Sequence, residues 1–175
     1  EVIRARYSDA QFFWDRDTKK QLDDFRPTLS GLMFQAKLGS MLDKSERMGR
    51  TVPALADELG LSAEEKATAA RAAYLAKADL VTDMVMDFTS LQGVMGRHYA
   101  LRSGDGEGVA YAIEEHYSNN PSSLAGLVVG LADRLDSLVG LFAVGKAPKG
   151  SADPFAQRRA AIGIIELLAN RHLRF

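Results

Sequence analysis

The stretch GKAPKGSADPFAQRRAA, Gly145 to Ala161, gathers Lys146, Lys149, Arg158 and Arg159 against a single acid, Asp153. Cations at that density, on a loop leading into a helix, are equipped to hold phosphate oxygens by charge and through the unpaired N–H groups of a first helical turn. The same loop also reads as a structural entry to the helix, with Asp153 and the arginines in internal ion pairs. A second basic pair, Arg97 and His98 in QGVMGRHYA, could receive either a phosphate or an internal carboxylate. Asp79 in LAKADL and Asp133 in LADRLDSL interrupt apolar runs with a carboxylate. An unpartnered carboxylate in such a place costs several kcal/mol, so both must be satisfied by cations or by backbone N–H groups.

Other chemistries are poorly supplied. His98, His116 and His172 fall on separate segments without a His-x3-His pair or an acid at ligand spacing, which disfavours a metal site built from them alone. No G-x-x-x-x-G-K-[ST] loop occurs, and the glycine-rich RSGDGEG has neither a preceding strand nor a phosphate-holding lysine, so it reads as a turn. Cysteine is absent, which removes disulfides, thiolate metal sites and cysteine nucleophiles, and fits a reducing compartment such as the cytoplasm.

The elements that must position these residues are helical. Ser8 reads as an N-cap for DAQFFWDRDTKKQLDDF, preceded by EVIRARYS as a strand tail or linker and closed by Pro27. AKLGSMLDKSERMG has an apolar stripe at helical spacing and should close at Gly49, with VPALADELG as a separate short helix. Ser62 and Glu65 form a capping box that opens a long helix running through Asp79 to Phe88. SLQGVMGRHYALRSG reads as a helix loosened by Gly93 and Gly96, and DGEGVAYAIEEHYS as the next. Leu124, Leu127, Val128, Leu131, Leu135, Leu138 and Phe142 mark the stripe of a central helix, whose opposite side carries Gly126, Gly130 and Gly140 for close approach. Asp153 caps and Pro154 opens a last helix, on which Arg158 shares a face with Phe155, Ile162 and Ile165 while Arg159 aligns with Gly163, Glu166 and Asn170 on the polar side. Arg158 is thus expected to be half-buried beside an acid, and Arg159 to be free for an anionic partner. No alternation persists long enough for a sheet, so the expected class is all-α.

A chain of 175 residues with 46% hydrophobic and 26% charged residues fits one globular domain with a real core. Lysine and arginine number 22 against 23 acids, so the net charge is −1 and any nucleic-acid contact must come from a local patch. No apolar run reaches the roughly 18 residues a membrane span needs, so no membrane partner is expected. The start at Glu1 and the helical run AAIGIIELLANRHLRF up to Phe175 suggest a piece excised from a longer polypeptide.

The placement of Asp79 and Asp133 resembles the HD superfamily of helical phosphohydrolases. There a His-Asp pair and a later Asp, often in an ADRL context, bind a metal together with an earlier His. Asp79 matches the Asp of the pair and Asp133 the final Asp, but Ala78 precedes Asp79, and FQAKLGSML offers Gln35 and Lys37 in place of a histidine. The resemblance therefore implies a single HD-like domain over 27–175 with a degenerate metal site, a nearby lysine replacing the ion, and a linker and helix over 1–26 joining it to an upstream part. Retained metal-dependent phosphohydrolase chemistry at Asp79 and Asp133 is the alternative.

The stretches FQAKLGSMLDKSERM, LAKADLVTDMVMDFTSLQGVMGRHYA, EEHY and LADRLDSLVGLFAVGKAPKGSADPFAQRRAAIGI together resemble the β subunit of bacterial heterotetrameric glycyl-tRNA synthetases, across nearly the whole chain. That resemblance implies an α2β2 enzyme. Its α subunit forms glycyl-adenylate with ATP and Mg2+, and its β subunit recognises and positions glycine tRNA. This chain would be an internal helical domain with no cofactor and no catalytic residue of its own. A tRNA acceptor stem is an A-form duplex read through phosphates and 2′-hydroxyls, which Lys146, Lys149 and Arg159 suit, followed by Arg158, Arg97 and His98. A purely architectural domain contacting the α subunit through Phe12, Phe13 and Trp14 is the third reading.

Overall fold

The computed structural model describes residues 2–169, and His172 lies outside them, as does the Asn170 end of the last helix's polar side. In chain order the elements are α1 (Val2–Asp17), α2 (Leu22–Phe25), a 3-10 turn at Arg26–Gly31, β1 (Met33–Gln35), β2 (Gly39–Ser40), α3 (Met41–Glu58) and α4 (Ala63–Leu75). A 3-10 turn at Ala78–Val81, α5 (Asp83–Asp87), a further turn at Thr89–Leu91, α6 (Val94–Arg102), α7 (Gly106–Glu115), α8 (Leu124–Ala143) and α9 (Gln157–Ala169) follow. The chain is mostly helical, as expected. The small β1–β2 hairpin, with Met33 opposite Ser40, was not expected.

α8 is the axis of the molecule. Leu127, Val128, Val129 and Leu131 are fully buried on it, and it packs against α3, α4, α7 and α9. Its glycines serve the close approach that their spacing suggested. A Cβ on Gly130 would lie 3.0 Å from the His116 carbonyl, and one on Gly126 would lie 2.8 Å from Glu115 Oε2.

Several boundaries move. EVIRARYS belongs to α1 from Val2 onward, so Ser8 is inside a helix and caps nothing. Asp17, at the end of α1, is buried and accepts the N–H groups of Asp83 and Met84 at 3.0 Å each, which fastens α1 to the start of α5. α3 continues through Gly49 and Pro53 as one helix, because the bond that Pro53 cannot donate would have gone to exposed Gly49, while Met48, Val52 and Ala56 are buried on either side. It begins at Ser40, whose hydroxyl accepts from the Asp43 N–H in a capping box, and not at Ala36. The Ser62–Glu65 capping box opens α4 as expected, but the helix stops at Leu75, and Asp79 sits in a 3-10 turn instead of a helix interior. α9 starts at Gln157, three residues beyond Pro154, after Ala156 takes a left-handed φ of 53°. No helix among the described residues is long and apolar enough to cross a membrane.

Candidate functional site

The cationic stretch is folded onto the start of α9. Gly145, at φ 74°, turns the chain out of α8, and Lys149 and Ala152 pair through both backbone bonds, at 3.1 and 2.9 Å. The Gln157 side-chain amide donates to the Lys146 carbonyl at 2.6 Å, and Arg158 donates to the Gly150 carbonyl at 2.6 Å. Lys146, Lys149, Arg158 and Arg159 are all exposed around the loop and first turn that open α9. Asp153 accepts the N–H groups of Gln157 and Arg158, at 2.8 and 2.9 Å. Those bonds, the Arg158 amide first, hold its carboxyl below the usual range. Two of the first-turn amides of α9 are therefore capped internally, and a phosphate here would be held mainly by side-chain cations.

Two expectations about this helix are corrected. Arg158 is exposed and bonds a carbonyl, not a buried acid, and its companions Ile162 and Ile165 are 55% and 66% exposed. The Gly163 side is not solvent-facing: Gly163 is buried, and a Cβ there would lie 2.7 Å from Arg134 Nε on α8. Arg159 consequently stands at the rim of a cavity of about 400 Å3, lined also by His116, Tyr117, Asp133, Arg134 and Phe155.

Beneath that cavity lies a buried ionic centre. Lys77 Nζ is 2.9 Å from Asp133 Oδ2, 2.8 Å from His116 Nε2 and 4.2 Å from the centroid of the Tyr117 ring. Lys44 Nζ stands 3.0 Å from Asp133 Oδ1 and 3.1 Å from Asp136 Oδ2, and Arg47 completes the pair with Asp136. Burial pushes the Asp133 carboxyl up, but the Lys77 and Lys44 ammonium groups outweigh it and hold it well below the usual range. His116 donates from Nδ1 to the Ile113 carbonyl, which leaves Nε2 as the acceptor for Lys77. Burial first, then Lys77, pushes its pKa down to about 3, so the ring is neutral.

Asp79 does not join this centre. Its Oδ2 accepts from the Gly93 and Gly96 N–H groups at 2.6 and 3.1 Å, and its buried Oδ1 has no partner among the described residues. Burial pushes its pKa up to about 6 against the opposing pull of the Gly93 amide. The metal that an HD-type site would hold does not fit these residues. Lys77 already fills the space between Asp133 and His116, Asp79 is spent on amides, and no group of three metal-ligating side chains occurs among the described residues.

Arg97 and His98 sit within α6. The Arg97 guanidinium pairs with Glu114 on α7, while His98 is exposed beside it. Of the aromatic trio, Phe13 packs edge-on to Phe88 and Trp14 stacks on Tyr99, leaving Phe12 as the exposed ring.

The sequence reasoning missed His116 as a partner, Lys44 and Asp136, and above all Arg134. That guanidinium donates to the His116, Tyr117 and Ser118 carbonyls and to Asn119 Oδ1, closing the C-terminus of α7. Lys77, two residues before Asp79 in LAKADL, was a usable signal. The His116 and Arg134 roles depend on contacts made only after α7 and α8 pack.

Residues 1–175 match the family described as glycyl-tRNA synthetase beta subunit. The chain belongs to that family. The glycine–tRNA ligase beta subunit of Myxococcus xanthus is 51% identical over 180 residues, covering 99% of this chain and 26% of that protein. Those of Psychromonas ingrahamii and Actinobacillus succinogenes are 48% and 46% identical over 179 residues, again covering 99% of this chain and 26% of each protein. The chain thus spans about a quarter of the length of these curated relatives.

Proposed function

We propose that this chain is a helical domain of a glycine–tRNA ligase β subunit that positions glycine tRNA, through its acceptor stem, for glycylation by an α subunit in an α2β2 cytoplasmic enzyme. ATP and Mg2+ would be used by the α subunit, and this domain would contribute no catalytic residue. The observation that carries the reading is the convergence of Lys146, Lys149, Arg158 and Arg159 at the start of α9, where the one acid among them, Asp153, is consumed by backbone amides. Family membership supplies the context. The HD-like ancestry of the helical core belongs to the same proposal, supported by Asp79 and Asp133 in the expected segments with Lys77 where an ion would stand.

Binding of glycine tRNA by the assembled enzyme should weaken steeply with salt, and Lys146→Gln, Lys149→Gln and Arg159→Gln together should flatten that dependence. Unchanged affinity and slope in the triple variant would refute the positioning role. A second reading, docking onto other parts of the enzyme, is favoured by Val139, Phe142, Ile162 and Ile165, apolar and 67%, 57%, 55% and 66% exposed on α8 and α9. Ile165→Glu should then lower subunit association without unfolding the domain.

A further inference from the structure

We propose that the cavity beside Arg159 receives a single unpaired RNA nucleotide, its base against Phe155 and its phosphate on Arg159; this rests on the tRNA-positioning role above. A duplex backbone can lie across the exposed loop lysines, but its stacked bases cannot enter a cavity. Only an unstacked nucleotide presents a face and a phosphate that can be inserted. A volume of about 400 Å3 lies within the range of small-ligand pockets and suits one base with its phosphate.

The lining is divided by chemistry. Phe155 supplies a half-buried ring that lines the cavity and has no aromatic partner among the described residues, the group on which a base would stack. Arg134 adds charge, but its terminal amino groups are committed to the carbonyls that end α7 and to Asn119. Arg159 is exposed, and among the described residues no carboxylate lies within salt-bridge distance of it. It is the cation left to meet a phosphate. Asp133 would repel an anion, but Lys44 and Lys77 neutralise it from behind. Between Phe155 and Gln157 the backbone passes through Ala156 at φ 53°, a conformation unusual for a residue with a side chain, and Phe155, Ala156 and Arg159 all line the cavity.

The test uses the intact β subunit bearing this chain and fluorescence anisotropy with two labelled RNA hairpins of the same stem. One hairpin is blunt and the other carries a short single-stranded extension. The extended hairpin should bind more tightly. Phe155→Ala should remove about tenfold or more of that advantage while leaving blunt-stem affinity unchanged, and Phe155→Tyr should restore it. Arg159→Gln, at an exposed site, should also weaken the extended hairpin more than the blunt one. Lys146→Gln with Lys149→Gln should weaken both equally. If Phe155→Ala and Arg159→Gln act equally on both hairpins, or on neither, while the lysine variants still weaken both, the cavity proposal fails and the positioning role stands. If neither hairpin binds wild type, both fail. Ring-dependent binding of free AMP with no discrimination between the hairpins would make this a mononucleotide site and overturn the RNA assignment.

Discussion

Asp133 and Asp79 show how the same residue type, in similar apolar segments, acquires opposite electrostatics. Asp133 is ringed by ammonium groups and stays ionised; Asp79 has only amide donors and is pushed up to about 6. Replacing Asp133 with Ala strands Lys77 in the interior and leaves Lys44 with Asp136 as its one remaining carboxylate, and denaturant unfolding should show a loss of roughly 3–5 kcal/mol. Lys77→Met should cost a similar amount, and combining it with Asp133→Leu should recover much of the loss, which a double-mutant cycle measures. Asp79 gives a pH-dependent prediction. Its folded pKa is raised from 3.8, so the native state holds the proton more tightly, and its contribution is present below about pH 4 and lost as pH rises through about 6. Asp79→Asn keeps an acceptor for Gly93 and Gly96 and removes the ionisation. It should therefore stabilise the domain at pH 7 by up to about 3 kcal/mol and make no difference at pH 4. His116 acts in the other direction, because its lowered pKa makes stability fall as pH drops below about 6.5 toward 3, so the residual slope of the variant should have that sign. An Asp79→Asn variant less stable than wild type at pH 7 would mean that the charged form is the better-solvated one.

At the level of elements, what could be read in the sequence was local and what could not was tertiary. The Ser62–Glu65 box, the Leu127, Val128 and Leu131 part of the α8 stripe and the small residues opposite it are set by neighbours a few positions away and appear as spacing implied, whereas Phe142, at the far end of the expected stripe, is exposed. α3 was misread because Gly49 and Pro53 are local break signals overridden by burial on both sides, and the α4 break after Leu75 follows from Asp79 turning toward α6 amides that lie many residues later. The cap on α5 supplied by Asp17 is invisible for the same reason. In the candidate site, the loop cations could be read directly, whereas the cavity exists only once α9 lies on α8. Glycines give the clearest test. Gly49 has nothing within 4 Å of a built Cβ, so Gly49→Ala should raise stability by roughly 0.5–1 kcal/mol. Gly93 has φ 80° and a Cβ site 2.6 Å from Tyr117, and its N–H holds Asp79, so Gly93→Ala should destabilise by roughly 1–3 kcal/mol in the same thermal or denaturant assay.

For the whole molecule, a net charge of −1 means that long-range attraction for RNA cannot be spread over the surface. Whatever affinity the domain has must be concentrated where cations outnumber acids, and that concentration makes the location testable by counting released counterions. Neutralising Lys146, Lys149 and Arg159 together should reduce the slope of log K against log salt by about 2–3, if each meets one phosphate of the tRNA. Neutralising Lys19 and Lys20, which are exposed at the turn between α1 and α2, changes the net charge in the same direction without touching the α9 loop. A mechanism driven by overall charge predicts losses in proportion to the number of charges removed, wherever they lie. A mechanism driven by the patch predicts that the Lys19 and Lys20 variant keeps the wild-type slope. Salt titrations of glycine tRNA binding to the assembled enzyme, with both variants beside wild type, separate the two. A slope that falls only in the Lys19 and Lys20 variant would place the RNA on the α1–α2 turn instead.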